Sequence, residues 1–339
     1  MPGKKIDFDN LTFSLTPTRS MFISRCKADG KWDKGAYKPY GNISISPAAG
    51  VLNYGQGLFE GLKALRTKTG KIVLFRPLEN GKRLADGARR ICMPEYPPEK
   101  FVEVVKKIVK LNKAFIPPYG KGSLYLRPCL WGVGGILGVS PAPEYMFMVF
   151  ASPVGPYFKT GFKPVKLEIT RDFHRAAGKG TGGVKFIGNY AGGMLPAKMT
   201  KAKGFNECIY LDSKEERFIE EVGAANFFCV KGNTVLTPKL GSILPGITRA
   251  SVIRIAREVM KMEVRETPVS VEDALSADEC FCSGTAAVVS SIGSITVDGK
   301  ETVFNGFNVG RVTQELYDHL TRIQRCEEED RFGWVVLVK

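Results

Sequence analysis

The sequence predicts a mixed α/β domain followed by a larger, β-rich domain. The chain has 339 residues, more than one typical hydrophobic core serves. Residues 153–164 contain three prolines and two glycines and show no hydrophobic periodicity, which predicts a linker between residues 1–152 and 165–339. Helix and strand patterns are mixed before this stretch, whereas short strand patterns predominate after it.

The first half predicts helices and strands together. Apolar runs predict strands at residues 72–75, near 124–126 and at 145–150. Helices are expected from Pro77 to about residue 91 and from Pro98 to residue 112, each with a proline at its start. The second helix places apolar residues at i, i+3, i+4 and i+7 on one face: Phe101, Val104, Val105, Ile108 and Leu111.

The second half predicts short strands with helices packed outside them. The strands are expected at residues 165–170, 207–211, 227–230, 235–237 and 334–337, and another ends at Cys282. Lys231-Gly232-Asn233 and Asp298-Gly299 predict hairpin turns. Helices are expected at residues 248–260 and 309–323.

Composition excludes several classes of protein. No apolar run approaches the roughly 18 residues that a spanning helix needs. The first ten residues lack an apolar signal core and contain two aspartates, so we expect a cytoplasmic protein, with a mitochondrial one as the alternative if a presequence has been removed.

The eight cysteines form no CxxC, and because the chain has only two histidines, a zinc site is not expected. The net charge of +15 leaves nucleic-acid binding as an alternative, but the lysines of residues 104–115 interleave with apolar residues as on a solvated helix face.

One lysine stands in a glycine-rich setting. The stretch GGVKFIGNY, residues 182–190, contains Lys185 and, five positions later, Tyr190. The preceding GKGTGGVK resembles a phosphate-binding loop, but Val184 follows Gly183 where that motif requires Lys and then Ser or Thr. A nucleoside triphosphatase is therefore not expected.

Two stretches are suited to anions. In LPGITR, a Pro-Gly pair leads into a helix, so the amides of Ile247 and Thr248 lie at its positive end and the Thr248 hydroxyl is expected to cap it. In CSGTAA, a glycine turn at the end of a strand would point successive amides to one side. Each stretch alone fits an ordinary capped helix or an ordinary turn equally well.

Two adjacent glutamates lie in an apolar, strand-like stretch. Strand alternation puts Glu220 and Glu221 on opposite faces, so we expect one at the solvent and the other inward, beside a cation. A lysine that can form an imine, an acid for a ring nitrogen, and amides with a basic residue for a phosphate are together what pyridoxal 5'-phosphate requires.

Ordered motifs resemble those of the branched-chain amino acid aminotransferases, a family of fold-type IV pyridoxal-phosphate enzymes. The motifs are SPAAGVLNYGQGLFEGLKA, LFRPLENGKRL, GSLYLRP, VKFIGNY, EVGAAN, LPGITR and SGTA, and the resemblance covers roughly residues 7–337. It implies the fold of D-amino acid aminotransferase: a small α/β N-terminal domain and a larger, β-barrel-like C-terminal domain that binds the cofactor. It also implies a homodimer. From the apolar runs and the lysine pattern we expect binding to neither membrane nor nucleic acid.

The resemblance implies a role for each cofactor-binding residue. Lys185 corresponds to the catalytic lysine that forms the internal aldimine with pyridoxal 5'-phosphate, and Tyr190 to the tyrosine that hydrogen-bonds the phenolic oxygen. Glu221, rather than Glu220, corresponds to the partner of the pyridine nitrogen. The residues expected at the phosphate are Arg76, Ile247 and Thr248 through their amides, and Thr285 through its hydroxyl.

The substrate residues follow from the same resemblance. The amides of Thr285 and Ala286 are expected to hold the α-carboxylate. The side-chain pocket is expected to consist of Tyr54, Phe59 and Tyr125, with Val139 from the other subunit. Arg127 corresponds to the arginine that admits the distal carboxylate of glutamate into this apolar pocket.

The implied reaction transfers the amino group of Leu, Ile or Val to 2-oxoglutarate, and the freed Lys185 amine moves the α-proton. D-amino acid aminotransferase and aminodeoxychorismate lyase, on the same fold, are the alternatives. The chain departs from the family at Thr18-Arg19-Ser20, which leaves the surroundings of Phe13 open, and it lacks the CxxC that follows SGTA in some animal members. A redox switch of that type is not expected.

Overall fold

A computed structural model of the chain describes residues 6–155 and 162–339. Its strands, in chain order, are β1 (Ser20–Lys27), β2 (Ala36–Pro39), β3 (Gly57–Phe59), β4 (Leu62–Arg66), β5 (Ile72–Phe75), β6 (Ser123–Gly132), β7 (Glu144–Val154), β8 (Val165–Ile169), β9 (Glu207–Leu211), β10 (Ile219–Val222), β11 (Ala225–Lys231), β12 (Thr234–Thr237), β13 (Glu263–Glu266), β14 (Glu279–Gly284), β15 (Val288–Val297), β16 (Lys300–Val303) and β17 (Val335–Leu337). Its helices are α1 (Gly50–Asn53), α2 (Pro77–Arg90), α3 (Pro98–Leu111), α4 (Gly188–Ala191), α5 (Met194–Ala202), α6 (Ile247–Arg254), α7 (Val271–Leu275) and α8 (Arg311–Gln324).

The chain forms two compact units, and each contains more than one segment. The first unit consists of Met1–Lys159, Lys185–Gly188 and Ile323–Lys339, and the second of Thr160–Val184 and Asn189–Arg322. The sequence instead predicted one division through residues 153–164. Pro153 and Val154 belong to β7, and residues 156–161 of that predicted linker lie outside the described residues.

The first unit is built on an antiparallel sheet with the strand order β17-β5-β4-β6-β7-β1-β2, and β3 pairs with β6. Its longest ladder runs from the pair Ser123–Val154 to the pair Gly132–Tyr145. Helix α3 packs on β1 and β7. It buries Phe101, Val104, Val105 and Ile108 of its predicted apolar face, whereas Leu111, at the end of the helix, is only half-buried. Helix α2 packs on α3 and β3 and so reaches the edge of the predicted pocket.

The second unit contains a closed barrel. Following the pairings gives β10-β9-β8-β15-β14-β11, and β11 pairs back to β10, so the six strands form a ring. The rings of Phe228 and Phe281 stack in its buried core, with centroids 4.8 Å apart. The barrel expected from the family resemblance is therefore confirmed. Among the described residues, the helices are too short or too polar to cross a membrane.

Most sequence-predicted elements are present with shifted ends. The strand at residues 72–75 and the hairpin at Asp298-Gly299 are confirmed as predicted. The strands near residues 124–126 and 145–150 are the central parts of the longer β6 and β7. The helix predicted at 248–260 begins one residue earlier and changes to a π-helical turn at Ile255–Val259. The sequence missed β1 to β4, β13, α1, α4, α5 and α7.

Candidate active site

Lys185 lies in a short segment that runs beside β3. The Phe59 N–H donates to the Lys185 carbonyl at 3.2 Å, and the Ile187 N–H donates to the Gly57 carbonyl at 3.0 Å. Leu58 and Phe186 form an isolated antiparallel bridge between the same two stretches. The backbone of the lysine is thus fixed against β3 by sheet-like hydrogen bonds, which restricts where its side chain can reach.

The Lys185 amine is in a setting that disfavours its charged form. The side chain is half-buried, and Nζ lies 4.6 Å from the centroid of the Phe59 ring. Burial is the main reason that the pKa of Lys185 is lowered to about 8, and the positive charge of Arg83 lowers it further, while Glu60 opposes the change. An amine that is partly neutral near physiological pH can act as a nucleophile or as a base.

Three residues predicted for the substrate pocket gather around this lysine. The Arg127 guanidinium lies 4.8 Å from the Phe59 ring centroid and 5.4 Å from that of Tyr125. Its Nε is buried and has no hydrogen-bond partner among the described residues. Two aromatic faces hold the guanidinium, and a donor is left over for a carboxylate. Phe13 packs edge-on against Tyr125 at 5.1 Å, so it contacts the same wall.

The other two residues predicted for the pocket are more exposed. Tyr54 is 38% exposed, and its hydroxyl donates to the Leu137 carbonyl. Val139, on the connection between β6 and β7, is 86% exposed. At the N-terminal departure from the family pattern, Thr18 is buried and its hydroxyl donates to the Ala151 carbonyl at 3.2 Å. That departure therefore keeps an ordered contact with β7.

Arg76 lies at the start of α2 in an uncommon conformation. It is the residue before the helix, with φ at 47°, a left-handed value that is rare for residues other than glycine. Its N–H donates to the Trp334 carbonyl at 2.8 Å, and its guanidinium lies 5.0 Å from the Trp334 ring. Strain of this kind is often found where a side chain has a function. Sequence reasoning did not connect Trp334 with Arg76.

In the second unit, Glu221 lies on β10 in a cluster of donors. The Leu244 N–H donates to its Oε1 at 2.7 Å, and Asn226 Nδ2 donates to the same oxygen at 3.2 Å. Arg175 Nε lies 2.9 Å from Oε2, a pairing of charges in which both side chains are less than a tenth exposed. Arg175 also donates to the carbonyls of Gly182 and Ser242, at 2.9 and 2.6 Å. Arg175 is therefore the cationic partner that we expected for an inward-facing glutamate, and the sequence alone did not identify it.

The spacing of the EVGAAN motif has a geometric explanation. Glu221 and Asn226 face each other in the β10–β11 register, joined by a two-residue turn. Gly223 in that turn has φ at 52°, which glycine adopts without strain. A Cβ there would also lie 2.5 Å from the Glu207 side chain. The motif is thus a tight hairpin that brings an amide to a carboxylate.

The prediction that one of the two glutamates faces solvent is wrong. Glu220 is 7% exposed and Glu221 is 3% exposed, because the residues of β10 are buried on both faces. Burial raises the pKa of Glu220, although the Ser242 hydroxyl donates to its Oε1 and partly offsets this effect. Glu220 is therefore the carboxyl that burial drives toward its neutral form.

The predicted phosphate-binding helix begins at Gly246, not at a threonine cap. Gly246 is the N-cap in an extended conformation, and no side chain caps α6, so the expected capping role of the Thr248 hydroxyl is wrong. A Cβ at Gly246 would lie 2.1 Å from Asn226 Oδ1, and Asn226 Nδ2 donates to the Leu244 carbonyl at 2.9 Å. Asn226 therefore holds the approach to the helix against the barrel.

The SGTA turn joins β14 to β15. Ser283 is fully buried, and its hydroxyl has no hydrogen-bond partner among the described residues. Thr285 and Ala286 are half-buried, and Val288 has φ at 62°, which is strained for a β-branched residue. The buried Ser283 hydroxyl and the strained backbone at Val288 are features typical of a site that binds a polar ligand.

Tyr190 lies in α4 and is half-buried. The neighbouring Asn189 side chain accepts a hydrogen bond from the Thr181 hydroxyl at 2.7 Å and donates to the Thr181 and Val184 carbonyls at 2.7 and 2.9 Å. One asparagine side chain thus holds the glycine-rich stretch in place through three hydrogen bonds.

Comparison with known proteins decides the family. The model of amino-transferase class IV matches residues 57–295. The chain belongs to this family. A chloroplastic branched-chain-amino-acid aminotransferase 5 of Arabidopsis thaliana is 50% identical over 333 residues, covering 98% of this chain and 80% of the relative. The branched-chain-amino-acid aminotransferase of Haemophilus influenzae is 46% identical over 344 residues, covering 99% of this chain and all of the relative.

Solved structures of class IV aminotransferases agree with this assignment. The branched-chain amino acid aminotransferase of Escherichia coli has a TM-score of 0.83 at 27% identity, covering 95% of this chain and 100% of that one. A second branched-chain amino acid aminotransferase, from T.th. and solved with pyridoxamine 5'-phosphate, has a TM-score of 0.81 at 26% identity, covering 96% and 100%. The chain is therefore an aminotransferase of the branched-chain group, with the fold-type IV architecture.

Proposed function

We propose that this aminotransferase exchanges the amino group between the branched-chain L-amino acids (Leu, Ile and Val) and 2-oxoglutarate, giving the branched 2-oxo acids and L-glutamate, with pyridoxal 5'-phosphate held covalently by Lys185. The observation that carries the proposal is the amine of Lys185, whose pKa is lowered to about 8 beside Phe59 and within reach of the charge of Arg127. When bound, the cofactor supplies an aldehyde that accepts the amino group and a ring that accepts the electrons of the broken Cα–H bond.

Observations on this chain fit that cofactor. The buried carboxylate of Glu221 is oriented by the Leu244 N–H and by Arg175, which suits a partner for a protonated ring nitrogen. Helix α6 begins without a side-chain cap, and a helix start suits a phosphate. The SGTA turn itself contains the buried Ser283 hydroxyl, which has no hydrogen-bond partner among the described residues.

Each cofactor contact is assigned to a residue. Lys185 would hold the aldehyde carbon, Glu221 the ring nitrogen, and Tyr190 the ring oxygen. The phosphate would be held by the Arg76 side chain, the Ile247 and Thr248 amides and the Thr285 hydroxyl. During the reaction the Lys185 amine would take the proton from the substrate Cα and return it to the carbon that had carried the aldehyde.

The substrate pocket has to accept an isobutyl group and a carboxylate in turn, although an unpaired buried charge is very costly. Arg127 fits this requirement because its guanidinium lies near the rings of both Phe59 and Tyr125 and keeps a buried Nε donor. The α-carboxylate would be held by the amides of Thr285 and Ala286. Tyr54 would line the apolar side of the pocket.

A substrate panel tests the proposed reaction. Purified protein with added pyridoxal 5'-phosphate is assayed with 2-oxoglutarate and, separately, L-leucine, L-valine or D-alanine, and aminodeoxychorismate is tested as a lyase substrate. Glutamate formation from the two branched L-amino acids supports the proposal. Turnover of D-alanine or of aminodeoxychorismate in their place would reassign the chain to another branch of the same fold.

We further propose that the chain acts as a homodimer in which Val139 of one copy closes the pocket of the other. Val139 is 86% exposed and Leu137 is 92% exposed on the same connection, an arrangement that suits an apolar contact. Light scattering during size-exclusion chromatography gives the mass in solution, and a monomer that turns over L-leucine at the full rate would contradict the arrangement.

A cytoplasmic location is proposed, with the mitochondrion as the alternative. The eight cysteines are free thiols, which suits a reducing compartment. Relatives of the chain are named chloroplastic or mitochondrial. Fractionation of cells that express the full-length gene with a C-terminal tag separates these locations.

A further inference from the structure

Glu60 and Arg83 form a buried ion pair that the proposed reaction does not use. The Glu60 side chain is 0% exposed and that of Arg83 is 11% exposed. Arg83 donates from Nε to Oε1 and from Nη2 to Oε2, both at 2.8 Å, so the two groups meet as a fork. Asn80, one turn earlier on α2, donates from Nδ2 to Oε2 at 2.8 Å. The carboxylate is therefore held firmly.

Stability alone does not account for this pair. Burying two charges is expensive, and well-packed apolar residues of similar volume are often as stable. Burial by itself raises the pKa of Glu60, but the charge and hydrogen bonds of Arg83 hold that pKa below its ordinary value. The pair therefore stays ionised inside the first unit, beside the junction of β3 and β4.

That junction leads directly to the lysine. Glu60 follows Phe59, whose N–H donates to the Lys185 carbonyl at 3.2 Å and whose ring lies 4.6 Å from Nζ. The charged or titratable groups that act on the amine include Arg83 from α2, Glu60 from the β3–β4 junction, and Tyr125 and Arg127 from β6. After burial, Arg83 and Glu60 act most strongly on the amine, and they act in opposite directions.

We propose that the Glu60–Arg83 pair is a positioning unit that sets the charge state of the Lys185 amine. The positive charge of Arg83 disfavours the protonated form of the Lys185 amine, and the negative charge of Glu60 limits that effect. The amine can therefore both accept a proton and give it back. Both residues act through Lys185 and not on the substrate. The inference rests on the proposed function, because a balanced charge matters for catalysis only if this amine moves the proton.

The proposal predicts shifts of opposite sign. Glu60→Gln removes the negative charge and leaves Arg83, so the Lys185 amine should become neutral at lower pH. Arg83→Met leaves a lone buried carboxylate, so the amine should hold its proton to higher pH. Arg83→Lys keeps the positive charge and should leave the titration close to that of the unmodified chain. The double variant Glu60→Gln/Arg83→Met removes both charges, so its midpoint should return between those of the single variants, toward that of the unmodified chain.

The experiment follows the amine without using turnover. The full-length chain, freed of cofactor, is reductively methylated with ¹³C-formaldehyde at a series of pH values, and the Lys185 signal is identified by its loss in Lys185→Arg. At pH 7, Glu60→Gln should methylate Lys185 roughly threefold faster and Arg83→Met roughly threefold more slowly, since only the neutral amine reacts. Glu79→Gln is the matched control, because Glu79 lies on the same helix in an exposed pair with Lys82 and should cause no change.

Circular dichroism confirms that each variant is folded before it is labelled. An unchanged Lys185 titration in folded Glu60→Gln, or in folded Arg83→Met, would overturn the inference and leave the proposed function standing. Conversely, Lys185→Ala with full turnover would overturn the proposed function, whatever the titration shows. The two failures are therefore distinguishable.

Discussion

Arg175 and Glu221 pair in the second unit, with Nε of the arginine 2.9 Å from Oε2 of the glutamate. Arg175 is held in turn by the Gly182 and Ser242 carbonyls, so it links the glycine-rich approach to the strand that carries Glu221. Arg175 Nε itself has no aligned hydrogen-bond acceptor among the described residues, so the contact is one of opposite charges. The pair orients Oε2 of Glu221. The neighbouring Glu220 instead accepts a hydrogen bond from the Ser242 hydroxyl.

Glu221→Gln should therefore impair transamination far more than Glu220→Gln. The substitution keeps the size of the side chain but removes the charge that would hold a ring nitrogen protonated. We expect kcat/KM for L-leucine to fall by on the order of 100-fold, the size of one lost electrostatic contact at a reacting centre. Steady-state assays with 2-oxoglutarate measure it.

Glu220→Gln is the control for that prediction. It changes an adjacent buried carboxyl of the same strand, and burial already drives Glu220 toward its neutral form. We expect at most a few-fold change in kcat/KM, with a thermal midpoint close to that of the unmodified chain. Equal losses for the two variants would mean that the assignment of Glu221 is wrong.

Lys185 should make the cofactor-free chain less stable below its own pKa. Its pKa is about 8 in the folded chain and 10.5 when unperturbed, so the unfolded chain binds more protons between these values. Stability therefore rises with pH from about 8 to 10.5, and the full penalty is present below pH 8. Lys185→Met removes the penalty, and its thermal midpoint should exceed that of the unmodified chain at pH 7.

The difference between the two midpoints should shrink as the pH approaches 10.5. Lys63, whose pKa is also lowered to about 8, is present in both proteins and cancels in the comparison. Differential scanning calorimetry at pH 7, 8, 9 and 10 gives the series. If the two thermal midpoints differ by the same amount at every pH, the pKa of Lys185 is not lowered in the folded chain. The same Lys185→Met chain should lack transamination, which links the instability to the function.

The sequence predicted the regular elements better than the interrupted ones. Helix α3 was found because its apolar residues recur at helical spacing and each end has a clear signal. Strands β3 and β4 were missed because Glu60-Gly61 interrupts a short apolar run, and a buried charge there makes sense only with Arg83 opposite. Pairings between residues that are distant in the sequence leave no local pattern.

In the candidate site, too, the residues with a local sequence motif could be predicted and those placed by distant contacts could not. Lys185 and Glu221 lie in short motifs whose residue types indicate their chemistry, so they could be proposed from the sequence. Arg175 has no such signal, since an arginine ten residues before the lysine resembles the other basic residues of the chain. Trp334 is brought to Arg76 by the pairing of β17 with β5, which only the fold reveals.

Gly61→Ala should displace Tyr125 from the pocket. A Cβ at Gly61 would lie 1.9 Å from the Tyr125 hydroxyl oxygen and 2.7 Å from the ring carbon that carries it. The ring that flanks Arg127 would have to move, so we expect KM for L-leucine to rise and the thermal midpoint to fall. Gly41→Ala is the matched control, because a Cβ there meets nothing within 4 Å.

Adding Tyr125→Phe to Gly61→Ala removes the closest clashing atom and should recover part of the lost thermal midpoint. The ring carbon still crowds the new methyl group, so recovery should be incomplete. A double variant that is less stable than the sum of the two single changes would show that the clash is not the cause.

Glu279 should stabilise the second unit by holding the start of α8. Its Oε1 accepts from the Val312 N–H at 3.0 Å, and its Oε2 accepts from the Thr313 N–H and hydroxyl, both at 2.9 Å. A carboxylate at a helix start satisfies amides that lack intrahelical partners and interacts favourably with the helix dipole. Glu279 is 7% exposed, so water cannot readily replace it.

Glu279→Ala should therefore lower the free energy of unfolding by about 2 kcal/mol, at the upper end of the range for a lost helix cap. Glu315→Ala is the control, because Glu315 lies on the same helix in an exposed pair with Arg311, where a change within about 0.5 kcal/mol is expected. Urea unfolding followed by circular dichroism measures both. Equal effects would mean that the buried carboxylate contributes no more than a surface charge, since α8 itself is common to the two variants.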